Sequence, residues 1–135
     1  MSAKVFLDSG IFIALLNRRD RWHQQAAALF TGPKPRWMTT ALVRSEAYSW
    51  FLHKYGEEAA RSLRMMVDAL DGLVVHDTTP AHHDDVCRIL DRLRGSKLTY
   101  VDASSLAIMA KHKVKTVWST DHHLGLTGAE VLPRS

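Results

Sequence analysis

The sequence contains a single cysteine, Cys87, among its 135 residues. No intrachain disulfide can form, which excludes the disulfide-stapled scaffolds of small secreted proteins and fits a reducing compartment. The chain must therefore be held together by a hydrophobic core. At this length a chain can bury a sizeable core in one domain, and we predict a single domain over residues 1–135.

Long apolar runs are also missing. Asp8 interrupts the first run after residues 5–7, and the next run, residues 11–16, is short. A signal peptide needs an apolar stretch of about 7–15 residues, and a membrane-spanning helix needs about 20. The sequence therefore predicts neither a leader peptide nor a membrane segment, and we expect a soluble, cytoplasmic protein.

Several catalytic patterns are absent as well. The sequence has no HExxH or cysteine-rich zinc motif, no GxSxG motif and no glycine-rich phosphate loop. These absences argue against a zinc hydrolase, a serine hydrolase and a phosphate-loop enzyme. The eight histidines are therefore interpreted mainly as ordinary surface or partly buried residues.

Short apolar stretches, predicted as strands, alternate with amphipathic stretches, predicted as helices. The predicted strands cover residues 4–8, 36–38, 73–75, 114–118 and 129–132. The predicted helices cover residues 11–16, 20–31, 40–55, 57–70, 80–93 and 101–112, with Asp20, Thr39 or Thr40, and Thr79 as candidate N-caps. This alternation favours an α/β sandwich with a mostly parallel sheet.

Four carboxylates occupy positions where this fold would form a site. Asp8 ends the first predicted strand, and Asp121 follows a later one. Asp102 lies in the first turn of a helix, and Glu46 lies inside an otherwise apolar helix. The carboxyl ends of parallel strands form sites at one sheet edge, so these acids would meet if the two strands are neighbours. Taken singly, each acid could equally be a helix cap, a turn residue or an ion-pair partner.

A cluster of four carboxylates needs a compensating charge. The anions would repel one another and take up protons unless a cation neutralised them. Mg²⁺ and Mn²⁺ prefer carboxylate and water oxygens as ligands. Such ions polarise a phosphate and lower the pKa of water, so the pattern indicates phosphodiester hydrolysis without a protein nucleophile.

Positive charge is distributed unevenly along the chain. The formal net charge is +4, and the segment from Arg88 to Lys115 carries seven basic residues against two acidic ones. A basic surface favours a polyanionic partner such as a nucleic acid. A solvated helix face would produce the same pattern.

Four segments, in order, resemble the PIN domain, in particular the toxins of VapBC-type toxin–antitoxin pairs. They are VFLDS at residues 5–9, TTALVRSE at 39–46, YVDASSLA at 100–107 and WSTDHH at 118–123. The similarity covers nearly the whole chain. It implies a three-layer α/β/α sandwich with a central, mostly parallel sheet, and a metal-dependent endoribonuclease that leaves 5′-phosphate and 3′-hydroxyl ends.

The resemblance also implies site residues and partners. The acidic quartet that would bind Mg²⁺ or Mn²⁺ and carry catalysis falls on Asp8, Glu46, Asp102 and Asp121, with small hydroxyl residues beside it at Ser9 and Ser119. We expect RNA contacts from Arg18, Arg19, His122 and His123. The implied partners are an RNA substrate, a small antitoxin protein and a second copy of the chain.

Two departures from the family pattern stand beside the quartet. Gly10 replaces a residue that is often Asn or another polar residue, so we expect a missing contact near the acids. Leu124 replaces a frequent aromatic residue, so we expect different packing there. Neither departure removes an acid.

Three other functions stay open. The chain could be a PIN nuclease of RNA maturation that has no antitoxin. It could be a regulatory RNA-binding domain that kept the fold and lost the chemistry. It could also be an aspartyl-phosphate hydrolase with Asp8 as nucleophile, although such sites usually place a second acid where this sequence has Gly10.

Overall fold

The structure, a computed structural model, describes residues 3–134 except for the side chain of His122. The five strands are β1 (Lys4–Leu7), β2 (Arg36–Thr40), β3 (Val74–His76), β4 (Thr116–Trp118) and β5 (Glu130–Leu132). The α-helices are α1 (Ser9–Leu16), α2 (His23–Thr31), α3 (Ala41–Tyr55), α4 (Glu57–Asp68), α5 (Pro80–Arg92) and α6 (Tyr100–Lys111). A 3₁₀ helix spans His122–Gly125.

The strands form one sheet in the order β3-β2-β1-β4-β5, and every neighbouring pair is parallel. The chain moves outward from β1 to β2 and β3, then crosses back to β4 and β5. Because parallel crossovers are right-handed, this reversal places α1–α4 on one face of the sheet and α5–α6 on the other. The predicted α/β/α sandwich with a mostly parallel sheet is confirmed.

The core lies between the sheet and these two helical layers. In the central strand, Phe6 and Leu7 are fully buried, and Phe12 of α1 is buried with them. Helix α6 is buried at every position from Asp102 to Met109. Its apolar and small residues therefore fix a helix in the interior, and this helix carries Asp102 at its buried end.

Threonine hydroxyl groups cap the N-termini of three helices, and the sequence predicts two of these caps. The Thr40 hydroxyl accepts a hydrogen bond from Val43 N, and the Thr79 hydroxyl accepts one from His82 N, both at 3.1 Å. Thr99 caps α6 in the same way. These contacts satisfy backbone N–H groups that the first helical turn leaves without a partner.

The prediction that Asp20 caps α2 is wrong. Asp20 Oδ1 accepts a hydrogen bond from Trp22 N at 2.8 Å and so closes a turn before the helix, which begins at His23. Aspartate side chains satisfy either role, and the sequence does not distinguish them. No helix in residues 3–134 is long and apolar enough to span a bilayer.

Candidate functional site

The acidic residues are carried to the carboxyl edge of the sheet by β1 and β4. These strands are hydrogen-bonded neighbours, and Leu7 pairs with Trp118 at their carboxyl ends. Asp8 follows directly after β1, and its backbone N–H donates to Trp118 O at 3.1 Å. The segment that leads from β4 to Asp121 leaves the sheet beside it. Two segments more than 100 residues apart in sequence therefore meet at one point.

Asp8 is buried, with 3 % of its surface exposed. It occupies the N-cap position of α1, but its side chain makes no capping hydrogen bond. Its Oδ2 atom instead accepts a hydrogen bond from the Ser119 hydroxyl at 2.7 Å. The carboxylate therefore faces the loop after β4, and the alternative of a simple helix cap does not describe it.

Burial raises the pKa of Asp8 from 3.8 to about 6. The hydrogen bond from Ser119 lowers this pKa, and the negative charges of Asp102 and Glu46 raise it further. These two carboxylates act on Asp8 because both approach the same edge of the sheet. A group in this position holds a proton at mildly acidic pH, or it requires a nearby cation.

Glu46 approaches the edge from α3. Its Oε1 atom accepts a hydrogen bond from the Ser9 hydroxyl at 2.5 Å, so the first residue of α1 holds this carboxylate. The sequence also offers Arg44 and Lys54 as ion-pair partners. In the described part of the chain the carboxylate is bound by Ser9 instead. The contact joins α1 to α3 at the acidic edge.

Asp102 and Asp121 approach each other from α6 and from the loop after β4. One carboxylate oxygen of each and one ring nitrogen of His123 lie within 4.8 Å of one another. The side chain of Asp121 is 45 % exposed and that of His123 is 51 % exposed, whereas Asp102 is buried. The cluster is therefore open to solvent on one side.

Ser119 connects the two halves of the site. Its hydroxyl donates to Asp8 Oδ2, and its oxygen accepts a hydrogen bond from the backbone N–H of Asp121 at 2.9 Å. A serine hydroxyl can donate one hydrogen bond and also accept, so both contacts form together. Ser119 therefore sets the position of Asp121 relative to Asp8.

The donor set suits a divalent cation. Asp102 is near Asp8 on one side and near Asp121 on the other, so the four carboxylates form one continuous group. No lysine or arginine of residues 3–134 forms a salt bridge with any of the four. Carboxylate oxygens without a basic partner are typical ligands of hard divalent ions.

The structure does not bring Arg18 and Arg19 to these acids. Both are exposed and follow the far end of α1, whose first residue is Ser9. A helix of that length separates its ends by about 12 Å. His123 does lie beside Asp121, and the side chain of His122 lies outside the described part of the chain.

Three of the seven basic residues between Arg88 and Lys115 lie away from the acids. Arg92, Lys113 and Lys115 line a cavity of about 540 Å³ that is also formed by Gly128 and Ala129. Lys115 directly precedes β4, so this cavity is at the amino edge of the sheet. These three positive charges therefore lie at the opposite edge of the sheet from the acidic site.

Thr120 is a site residue that the sequence reasoning missed. A Cβ atom at position 10 would overlap with the Thr120 hydroxyl oxygen. Thr120, in the loop after β4, thus occupies the space of the side chain that Gly10 lacks, at the place where a missing contact was expected. Leu124 is fully buried. The glycine itself was the available signal, because glycine often marks a close approach of another chain segment.

Comparisons with known proteins agree with this architecture. A model of the PIN domain matches residues 5–129. The structure superposes on the Mycobacterium tuberculosis toxin VapC20, described as cleaving the sarcin-ricin loop, with a TM-score of 0.85 and 24% identity over 93% of this chain and 95% of that one.

Two further solved structures share the fold at lower identity. A toxin–antitoxin complex from Klebsiella pneumoniae gives a TM-score of 0.65 at 19% identity over 95% of each chain. FitAcB from Neisseria gonorrhoeae gives 0.65 at 13% identity, over 94% of this chain and 95% of that one. No curated protein sequence matches the chain. The match over residues 5–129 shows that the chain belongs to the PIN domain family.

Proposed function

We propose that this protein is a metal-dependent endoribonuclease that acts as the toxin of a type II toxin–antitoxin pair. The observation that carries the proposal is the meeting of Asp8, Glu46, Asp102 and Asp121 at one sheet edge of a PIN domain, without a lysine or arginine partner among the described residues. Like charges at this density are stable when a divalent cation lies between them.

In this proposal the four carboxylates hold Mg²⁺ or Mn²⁺. A bound divalent cation supplies positive charge to the phosphate and lowers the pKa of water. The protein residues supply the geometry. Ser9 holds Glu46, and Ser119 holds Asp8 and the backbone of Asp121.

The more exposed carboxylates are the candidates for proton transfer. Glu46 is exposed and Asp121 is half-exposed, whereas Asp8 and Asp102 are buried. A carboxylate at the open side of the site can orient a water molecule toward phosphorus and accept its proton. Since water and not the RNA 2′-hydroxyl is the nucleophile, the products carry 5′-phosphate and 3′-hydroxyl ends.

The proposed substrate and partners have support from the related structures. VapC20 is described as a toxin that cleaves the sarcin-ricin loop, and other similar structures are toxin–antitoxin complexes, including VapBC-1 of nontypeable Haemophilus influenzae. We infer an RNA substrate, a small antitoxin that covers the acidic edge, and a homodimer in the cytoplasm. Arg18, Arg19, His122 and His123 are the proposed RNA contacts.

The test is cleavage of short 5′-labelled RNAs by the purified full chain. We expect cleavage with Mg²⁺ or Mn²⁺, none in EDTA, and a loss of about 10²-fold or more for Asp102→Asn, which removes a charge next to the reacting phosphate. Asp91→Asn, at an exposed position of α5, is the matched control and should cleave normally. Cleavage that persists in EDTA, or products with 2′,3′-cyclic ends, would contradict the proposal.

A second measurement addresses the toxin role separately from the chemistry. The protein is expressed together with the product of the neighbouring reading frame and purified by a tag on either one. A toxin should copurify with that product and lose its ribonuclease activity in the complex. A nuclease of RNA maturation should cleave RNA and form no inhibited complex.

A further inference from the structure

His123 lies where it can bind the same cation as two of the acids. One ring nitrogen of His123 and one oxygen each of Asp102 and Asp121 lie within 4.8 Å of one another. Ligand atoms of one tetrahedral zinc ion lie about 3.4 Å apart, because each is about 2.1 Å from the metal. The side chains of Asp121 and His123 are solvent-exposed, so rotation about their side-chain bonds can bring all three donors to these distances.

The histidine ring is already oriented toward the carboxylate. The backbone N–H of His123 donates a hydrogen bond to Asp121 Oδ1 at 3.0 Å, and the ring nitrogen Nδ1 of His123 lies 3.3 Å from that same oxygen. The third member, Asp102, comes from α6 and is independent of this turn. Two separate elements thus direct oxygen and nitrogen donors to one point.

We propose that a ring nitrogen of His123 is a metal ligand together with Asp102 and Asp121, and that it makes this centre favour late first-row cations such as Zn²⁺ over Mg²⁺. Imidazole nitrogen is a good ligand for zinc, iron and nickel, whereas Mg²⁺ takes oxygen ligands almost exclusively. The inference rests on the proposed function, because it concerns the cation of the same site. It adds metal binding to the RNA contact that is proposed for His123.

The test measures metal affinity directly, on the folded full chain without RNA. Titration calorimetry gives the Kd of Zn²⁺ and of Mg²⁺ for the wild type and for His123→Gln. We expect the Zn²⁺ Kd to rise at least about tenfold and the Mg²⁺ Kd to change less than about threefold. His53→Gln, at an exposed position of α3, is the matched control and should leave both values unchanged.

A spectroscopic arm and a second variant identify the ligand atom. Co²⁺ added to the wild type should give a visible absorption spectrum that changes in His123→Gln. His123→Asp replaces the nitrogen donor with oxygen, so it should lower the ratio of Zn²⁺ to Mg²⁺ affinity while the site still binds metal. Circular dichroism and thermal melting confirm that each variant is folded.

The outcomes separate this inference from the proposed function. If the protein binds Mg²⁺ and this binding requires Asp102, but His123→Gln leaves the Zn²⁺ affinity unchanged, the inference is wrong and the proposed function stands. If His123→Gln binds RNA more weakly in EDTA while its Zn²⁺ affinity is unchanged, the inference is also wrong, and His123 contacts RNA instead. If Asp102→Asn alters neither metal binding nor cleavage, the proposed function itself fails.

Discussion

Replacing Asp8 with asparagine should stabilise the metal-free protein while it abolishes activity. The folded state raises the pKa of this carboxyl from 3.8 to about 6, chiefly because the group is buried. The folded protein thus holds the Asp8 proton more tightly than the unfolded chain does. Stability from this group is retained below about pH 4, falls as the pH rises toward 6, and stays low above that value.

The size of the effect follows from the shift. Each pKa unit corresponds to about 1.4 kcal/mol, so ionised Asp8 costs the metal-free fold roughly 3 kcal/mol at neutral pH. Asparagine carries no charge, and its side-chain oxygen can still accept the hydrogen bond of Ser119. We expect Asp8→Asn to recover about 2–3 kcal/mol, less the cost of its partly unsatisfied NH₂ group, or roughly 5–10 °C in Tm.

The assay is urea unfolding in EDTA between pH 4.5 and 7.5, followed by tryptophan fluorescence, since Trp37 and Trp118 are buried. The difference between variant and wild type should grow as the pH rises, and Asp91→Asn should show no such trend. Mg²⁺ should then stabilise the wild type by mass action and the variant far less. A variant that is less stable than wild type at pH 7.5 in EDTA, or a difference independent of pH, would refute the reasoning.

Two further substitutions test contacts at the same edge. Ser119→Ala removes the donor to Asp8 and the acceptor of Asp121 N, so we expect a loss of about 1–3 kcal/mol in urea unfolding and weaker Mg²⁺ binding by calorimetry; unchanged metal affinity would argue against its positioning role. Gly10→Ala should destabilise the fold by about 1–3 kcal/mol because its Cβ overlaps with the Thr120 hydroxyl. Adding Thr120→Ala should restore part of that loss, and purely additive effects in the double variant would contradict the overlap.

The sequence predicted much of the fold because its strands and helices alternate clearly. Apolar residues 5–7, followed by the turn residues Ser9 and Gly10, favoured a short buried strand, and threonines with a following helical pattern marked two N-caps correctly. The Asp20 cap failed because an aspartate side chain closes a turn as readily as it begins a helix. An aspartate that caps a helix and one that closes a turn both accept a hydrogen bond from a nearby backbone N–H. The conformation of the following residues decides between the two roles, and the sequence does not show it.

The candidate site was less accessible from the residues alone. The spacing of Asp8 and Asp121 does not reveal that β1 and β4 are neighbours in the sheet, because two other strands come between them in the chain. The order of motifs resembling a PIN domain supplied that step. The contact between Gly10 and Thr120 joins residues 110 positions apart, and no periodicity in the sequence reports such a distance.

The place of His123 was within reach of the sequence. It stands two residues after Asp121, a spacing that a tight turn brings together. The predicted role was contact with RNA, because a histidine next to a catalytic acid can contact a phosphate group as readily as it can bind a metal ion. The distance to Asp102, on a separate helix, adds the reason to consider a metal.

The order in which the site residues occur along the chain has a consequence for biosynthesis. Asp8 and Ser9 are made more than 100 residues before the strand β4 and the loop that carries Ser119 and Asp121. During translation, the early carboxylate therefore has no partner loop to face. A nascent chain whose β4 is still inside the ribosome cannot assemble the acidic edge, so the proposed ribonuclease activity begins only once β4 and the loop after it have emerged.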